Sequence, residues 1–285
     1  MHRFELLFAR LARPIAALLV GLVALAPARA HDTWFAAQPG AGAGAWQLAL
    51  GTGDRFPDQQ FTLSAELLQR QGCRQGDGQA QAMRVLRQRD QALQLQPRSA
   101  LRTQRGQHGA QTCWAQLRPL DIEITPEQVQ VYLDEISAAP ALRQAWREMR
   151  ARGAVWKERY TKHARVELLD RRLGGGDAPA AQPVPMGMDI VLDSGLERIH
   201  AGDEIRFRVL RHGQPLPGFA VELQGERSPV GLWRRTDAEG RVSLRVPFAG
   251  AWLLRGVDLR LSGTRVDSWE SDFVTLAFSV APAPR

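Results

Sequence analysis

"DEIRFRVLRHGQPLPGFAVELQ" (203–224) decides the fold class. Ile205, Phe207 and Val209 alternate with charged residues, which puts them on one face of an extended strand. "RHGQPLPG" then breaks the chain with Gly213, Pro215, Pro217 and Gly218, and "FAVELQ" resumes an extended run. The plan repeats toward the C-terminus. "TDAEGRVSLRVP" (236–247) holds a turn at Asp237–Gly240 and then sets Val242, Leu244 and Val246 on one face. "AWLLRGVDL" (251–259) and "DFVTLAFSV" (272–280) complete the series. Short strands at regular spacing with turn signals between them predict an antiparallel β-sandwich over residues 186–285.

Upstream, "GGGDAPAAQPVP" (174–185) is rich in Gly, Ala and Pro and marks a linker. Before it the period changes. Thr125-Pro126-Glu127-Gln128 is a helix-start signature: Thr125 caps, Pro126 suits the first turn, and Gln128 reaches back as in a capping box. Val129, Tyr132, Leu133 and Ile136 follow at helical spacing, and Pro140 restarts a second helix through Leu142, Trp146 and Met149. "AVWKERYTKHARVELLD" (154–170) reads as amphipathic, helical at its start and extended at its end. Residues 125–173 are therefore expected to be a helical connector. Residues 31–124 carry "WQLALGTGDRFP" (46–57), "AMRVLRQRD" (82–90), "ALQLQP" (92–97) and "TCWAQLRPLDIEI" (112–124), and read as an N-terminal β domain. The expected fold is mainly β: two β-sandwich-like parts joined by a short helical segment.

The first thirty residues differ from the rest. A basic start (Arg3, Arg10, Arg13) precedes an apolar run from Ile15 to Ala26, too short for the roughly 20 residues a bilayer crossing needs. Ala28-Arg29-Ala30 ends it with small residues at a cleavage position. This is the plan of a secretory signal peptide, residues 1–30, and places the mature chain in the periplasm with His31 as its first residue. No later segment is apolar enough to span a membrane. Cleavage lowers the formal charge from +7 to about +4, because Arg3, Arg10, Arg13 and Arg29 leave with Glu5. Arginine supplies nearly all the positive charge; the lysines are Lys157 and Lys162. The basic residues form no stripe interleaved with aromatics, so nucleic-acid binding is not supported. Cys73 and Cys113, an even count in an oxidising compartment, read as one disulfide, with free thiols or a thiolate metal site as the alternative.

"HDTWF" (31–35), "GDRFP" (53–57), "ERYTKHA" (158–164), "GQPLPGFAVEL" (213–223), "TDAEGRVSLRV" (236–246), "AGAWLLRG" (249–256) and "WESDFVTLAF" (269–278) occur in this order. The series resembles the exported family called domain of unknown function 4198, whose members are described as periplasmic components of nickel or cobalt uptake. The C-terminal part also resembles immunoglobulin-like and transthyretin-like modules, a likeness of scaffold rather than chemistry. The family resemblance implies a metal ion as ligand and an inner-membrane metal transporter as partner. Members carry a histidine near the "GxGxxFP" turn; here "GTGDRFP" has Thr52 and Asp54 instead, and Asp54 can supply an oxygen.

A mature N-terminal His31 offers its freed amine and its imidazole to one ion, a chelate that suits nickel, cobalt and copper. Asp32 can add a carboxylate oxygen. His163, inside "ERYTKHA", is the expected second imidazole; His108, His200 and His212 lie in or beside turns. The expected metal site is thus His31, Asp32 and His163. HExxH, GxSxG, P-loop and CxxC patterns are missing, so a non-catalytic binder is expected. Glu270 and Asp272 share one side of a strand and read as solvated. The rival readings are a metal-independent module that binds a protein or glycan partner in the envelope, and a copper-dependent oxidase built on a histidine brace.

Overall fold

The computed structural model describes residues 31–40, 44–76, 78–89, 91–97, 109–171, 173, 180–196, 199–228 and 230–284. The expected signal peptide (1–30), His108 and half of the Gly-rich linker lie outside the described residues. The chain is mainly β, with 54% strand and 11% helix. Strands β1 (Asp32–Pro39), β2 (Trp46–Gly53), β3 (Leu68–Gln75), β4 (Arg84–Arg89), β5 (Ala92–Gln96), β6 (Ala110–Leu117) and β7 (Leu120–Ile124) precede helices α1 (Pro126–Glu135) and α2 (Pro140–Ala151). After them come β8 (Trp156–Leu169), β9 (Met188–Leu192), β10 (Glu204–Arg211), β11 (Gln214–Pro215), β12 (Ala220–Gly225), β13 (Leu232–Arg235), β14 (Arg241–Arg245), β15 (Gly250–Leu261) and β16 (Trp269–Val280).

One large sheet, in the order β13-β12-β15-β16-β8-β6-β3 with β7 beside the first half of β8, runs through the middle of the molecule. A second sheet, β1-β2-β5-β4, covers one of its faces together with the two helices. The sheet of β9, β10, β11 and β14 covers the other face. Alternation along β16 shows how this works. Val274, Leu276, Phe278 and Val280 enter the core shared with Ile205, Phe207 and Val209 of β10. Trp269, Phe273 and Ala277 point the opposite way, to the helices and the N-terminal sheet. Two sandwich-like packings therefore share one central sheet.

The seam lies between β16 and β8, which pair in parallel from Trp269–Glu158 to Ala277–Val166. Here the expected helical connector over 125–173 needs correction: it is helical only to Ala151, and Trp156–Leu169 is a central strand. Its charges disguised it, because several are buried in pairs. Arg165, fully enclosed, donates to Glu167 Oε1 (2.6 Å), both Asp189 oxygens (3.0 and 2.9 Å) and the Ala180 carbonyl (2.8 Å). Glu167 also accepts from Thr112 Oγ1 at 2.6 Å. This network binds the end of the linker to the sheet.

Helix α1 starts as its sequence dictates: Gln128 N–H donates to Thr125 Oγ1 (3.3 Å) and Thr125 N–H donates to Gln128 Oε1 (2.8 Å). Val129, Tyr132 and Leu133, with Trp146 and Met149 of α2, pack on Trp156 and Trp269, whose rings stack 4.5 Å apart. Among the described residues no helix is long and apolar enough to cross a membrane. Cys73 and Cys113 face each other across β3 and β6 and form a disulfide that closes a 40-residue separation. Cys73→Ala with Cys113→Ala should lower the unfolding free energy by about 4 kcal/mol on the chain-entropy estimate. Denaturant titration checks this as a lower unfolding free energy in water, with a steeper slope because the uncrosslinked chain exposes more surface when unfolded.

Candidate functional site

Strand β1 opens at the rim of the central sheet. Asp32 pairs with Gly53 of β2, so His31 and Asp54, one step outside that pair, meet. The turn after β2 folds back tightly: a Cβ on Gly53 would lie 2.2 Å from the Asp58 carbonyl oxygen, which explains the glycine. The His31 Nε2 sits 3.2 Å from Asp54 Oδ1, and its ring stacks on Phe61 at 4.3 Å. Both side chains remain partly exposed, at 33% and 23%.

Asp32 points inward to a different partner. Its Oδ2 accepts from Arg255 Nη1, while Arg255 Nε donates to Glu222 Oε2 (2.6 Å) and Nη2 to the Glu135 carbonyl at the end of α1 (2.9 Å). Burial alone would depress the Arg255 guanidinium, but Asp32 and Glu222 outweigh it and raise its pKa. Asp32 is thereby a structural anion that ties β1 to β15, not a donor that faces His31.

His163 lies on the far side of the central sheet. Its neighbour Lys162 shares a cavity with His31, and successive strand residues point oppositely. The His163 ring is 1% exposed, with Nδ1 3.0 Å from the Phe273 carbonyl oxygen and Nε2 3.8 Å from Asp272 Oδ1. Burial lowers its pKa, and Asp272 opposes that shift. Asp272 is itself held by Arg260 at 2.8 Å. His200 lies 3.6 Å from Asp203, and His212 takes a positive φ of 49° in the turn after β10. Among the described residues no group of three or more His, Cys, Asp or Glu side chains is placed to hold an ion. The three residues expected to share one metal are not brought together: Asp32 engages Arg255, His163 lies on the other face, and the carboxylate beside His31 is Asp54.

The chain belongs to the family described as domain of unknown function (DUF4198). The match covers residues 28–257, from before β1 into β15, so β16 lies beyond it. No curated protein matches this DUF4198 chain.

Beside His31 the DUF4198 fold leaves a cavity of about 350 Å³, walled by Tyr132, Tyr160 and Phe273, with Glu158 and Lys162 on its floor. Glu158 accepts from Tyr132 Oη (2.9 Å), Trp156 Nε1 (2.8 Å) and Ser271 Oγ. Burial raises its pKa, with the Ser271, Trp156 and Tyr132 hydrogen bonds opposing. Burial, then the nearby Glu158 charge, push the Tyr132 phenol well up, so it stays protonated. Lys162 is different. Its Nζ lies 5.6 Å from the Tyr160 ring centre and 5.8 Å from that of Phe273. Burial pushes its pKa down to about 8, with Asp32 opposing. Sequence reasoning passed over this residue, although its rarity among the arginines was a visible signal. A second, smaller hollow of about 200 Å³ opens behind Asp54 and is lined by Asp134, Glu135, Glu222, Trp233 and Arg255.

Two outcomes follow. Arg255→Met leaves Asp32 and Glu222 buried without a counter-charge and should cost about 3–5 kcal/mol in denaturant unfolding. Lys162→Met removes a poorly solvated cation and should raise Tm at pH 7 by about 2–4 °C, the shift that about 1 kcal/mol gives a chain of this size. The sign follows from the lowered pKa: between about 8 and the ordinary 10.5 the unfolded chain holds more protons, so the natural protein gains stability as pH rises. The advantage of Lys162→Met should therefore be complete below pH 8 and shrink above it, as thermal melts across that range will show.

Proposed function

We propose that the mature chain is a non-catalytic periplasmic binding protein for a late divalent transition metal, nickel or cobalt. In this reading signal cleavage after Ala30 frees the amine of His31. The supporting observation is the contact of His31 Nε2 with Asp54 Oδ1 on a ring stacked against Phe61. A first residue would otherwise wander; here its ring is held at two points. With Nε2 turned to Asp54, chelation together with the amine falls to Nδ1. A carboxylate this close to the remote imidazole nitrogen acts electrostatically to make the ligand nitrogen more basic. Neutral nitrogen pairs of this kind favour nickel, cobalt and copper over magnesium or calcium. The remaining coordination positions go to solvent or to groups that arrive with the ion. Such a loose, open shell suits capture and hand-over, here to an inner-membrane transporter, better than permanent storage.

A copper oxidase needs a second imidazole on the same ion. The expected one, His163, is on the opposite face of the sheet, so we derive no step through it.

The test is calorimetric titration of Ni(II) into mature protein that begins at His31. The expected result is submicromolar, equimolar binding that acetylation of the amine or His31→Ala abolishes. Asp54→Ala should weaken it about 10–100-fold, and His163→Ala should leave it unchanged. Both nitrogens must shed protons, so affinity should fall as pH drops below about 7. Binding that survives acetylation, or none beyond that of the denatured chain, would overturn the proposal and favour a metal-independent envelope module.

A further inference from the structure

We infer that the cavity around Lys162 is a second binding site, for a small organic carboxylate with a flat apolar body. This inference does not depend on the metal reading.

The floor of the cavity is an unusual place for a positive charge. The other cations deep on the central sheet are each matched by two carboxylates: Arg165 by Glu167 and Asp189, Arg255 by Asp32 and Glu222. Lys157, the other lysine, is exposed and 3.9 Å from Glu123. Lys162 sits between these extremes. It is half-buried, and among the described residues it makes no hydrogen bond and no ion pair; its contacts are two ring faces. Three carboxylates are near, and each has another cation or donor: Glu123, which also lines the cavity, lies 3.9 Å from Lys157. Asp32 is held by Arg255, and Glu158 is closed off by three donors. A half-buried ammonium with no hydrogen-bonded or ion-paired carboxylate binds an incoming anion more strongly than one fully in water.

The walls specify the rest of the ligand. Phe273 lies opposite Lys162 in the parallel register, and Tyr132 stacks beside it at 6.3 Å with ring planes 16° apart. Tyr160 meets Phe273 edge-on at 6.0 Å. These rings form an apolar slot that leads to one cation. A volume of about 350 Å³ is at the small end of the range for small-molecule sites. One ammonium suits one carboxylate; a phosphate would call for a cradle of several donors.

The experiment is titration of benzoate into metal-free mature protein, followed by calorimetry, with benzamide as the uncharged analogue of the same shape. Saturable, equimolar benzoate binding is expected, with benzamide at least tenfold weaker. Lys162→Met, with its fold checked by near-ultraviolet circular dichroism, should lose at least tenfold in benzoate affinity, while Lys157→Met should not. Asp54→Ala, a residue outside the cavity lining, should keep benzoate binding even as nickel affinity falls, so the two sites can fail separately. Equal affinity for benzoate and benzamide would overturn the inference. So would unchanged binding by Lys162→Met, or no saturation by about 10 mM benzoate.

Discussion

The parallel pairing of β16 with β8 is the constraint on which the rest of the molecule depends. It joins a strand from the last residues of the chain to one that follows the helices, and so fuses two sandwich-like packings through a common sheet. Parallel neighbours demand a long crossover connection and cover on both faces. The chain supplies both. Residues from 170 onward build the sheet of β9, β10, β11 and β14 on one side before β15 and β16 return to the centre. The N-terminal sheet and the helices close the other side.

That central sheet also divides the chemistry. One face carries Glu158, Tyr160 and Lys162 toward the helices and toward His31. The other carries His163, Arg165 and Glu167 toward β9 and the linker. The two groups differ in how charge is handled. On the linker side Arg165, Glu167 and Asp189 neutralise one another and act as a staple. On the helix side Lys162 faces an open cavity and aromatic rings. Asp32 connects the two themes: by engaging Arg255 it anchors β1, which positions His31, while its charge still acts on Lys162.

The sequence made the local features plain. The capping box of α1 needs only neighbours, and it forms as Thr125 and Gln128 imply. The alternation in β10, β14 and β16 was equally readable, because one face of each is apolar. The disulfide followed from an even cysteine count read together with an expected export signal. Strand β8 was harder. Its run of Lys157, Glu158, Arg159, Lys162, His163, Arg165 and Glu167 looks like a solvated helix until the partners that bury those charges are known, and Asp189, Thr112 and Ser271 are remote in sequence. The site suffered for the same reason. The "ERYTKHA" motif singles out His163, but a step of one residue along a strand moves a side chain through the sheet, and the residue that shares a cavity with His31 is Lys162. Asp54 was noticed only as a substitute for an expected histidine; the register of β1 on β2 is what brings it to His31.

A fused central sheet makes a thermodynamic demand that scanning calorimetry of the mature chain tests directly. If the β8–β16 seam joins the halves as described, heat absorption should show one transition whose calorimetric and van't Hoff enthalpies agree. Two resolved transitions, with the C-terminal strands surviving the loss of the N-terminal sheet, would contradict it.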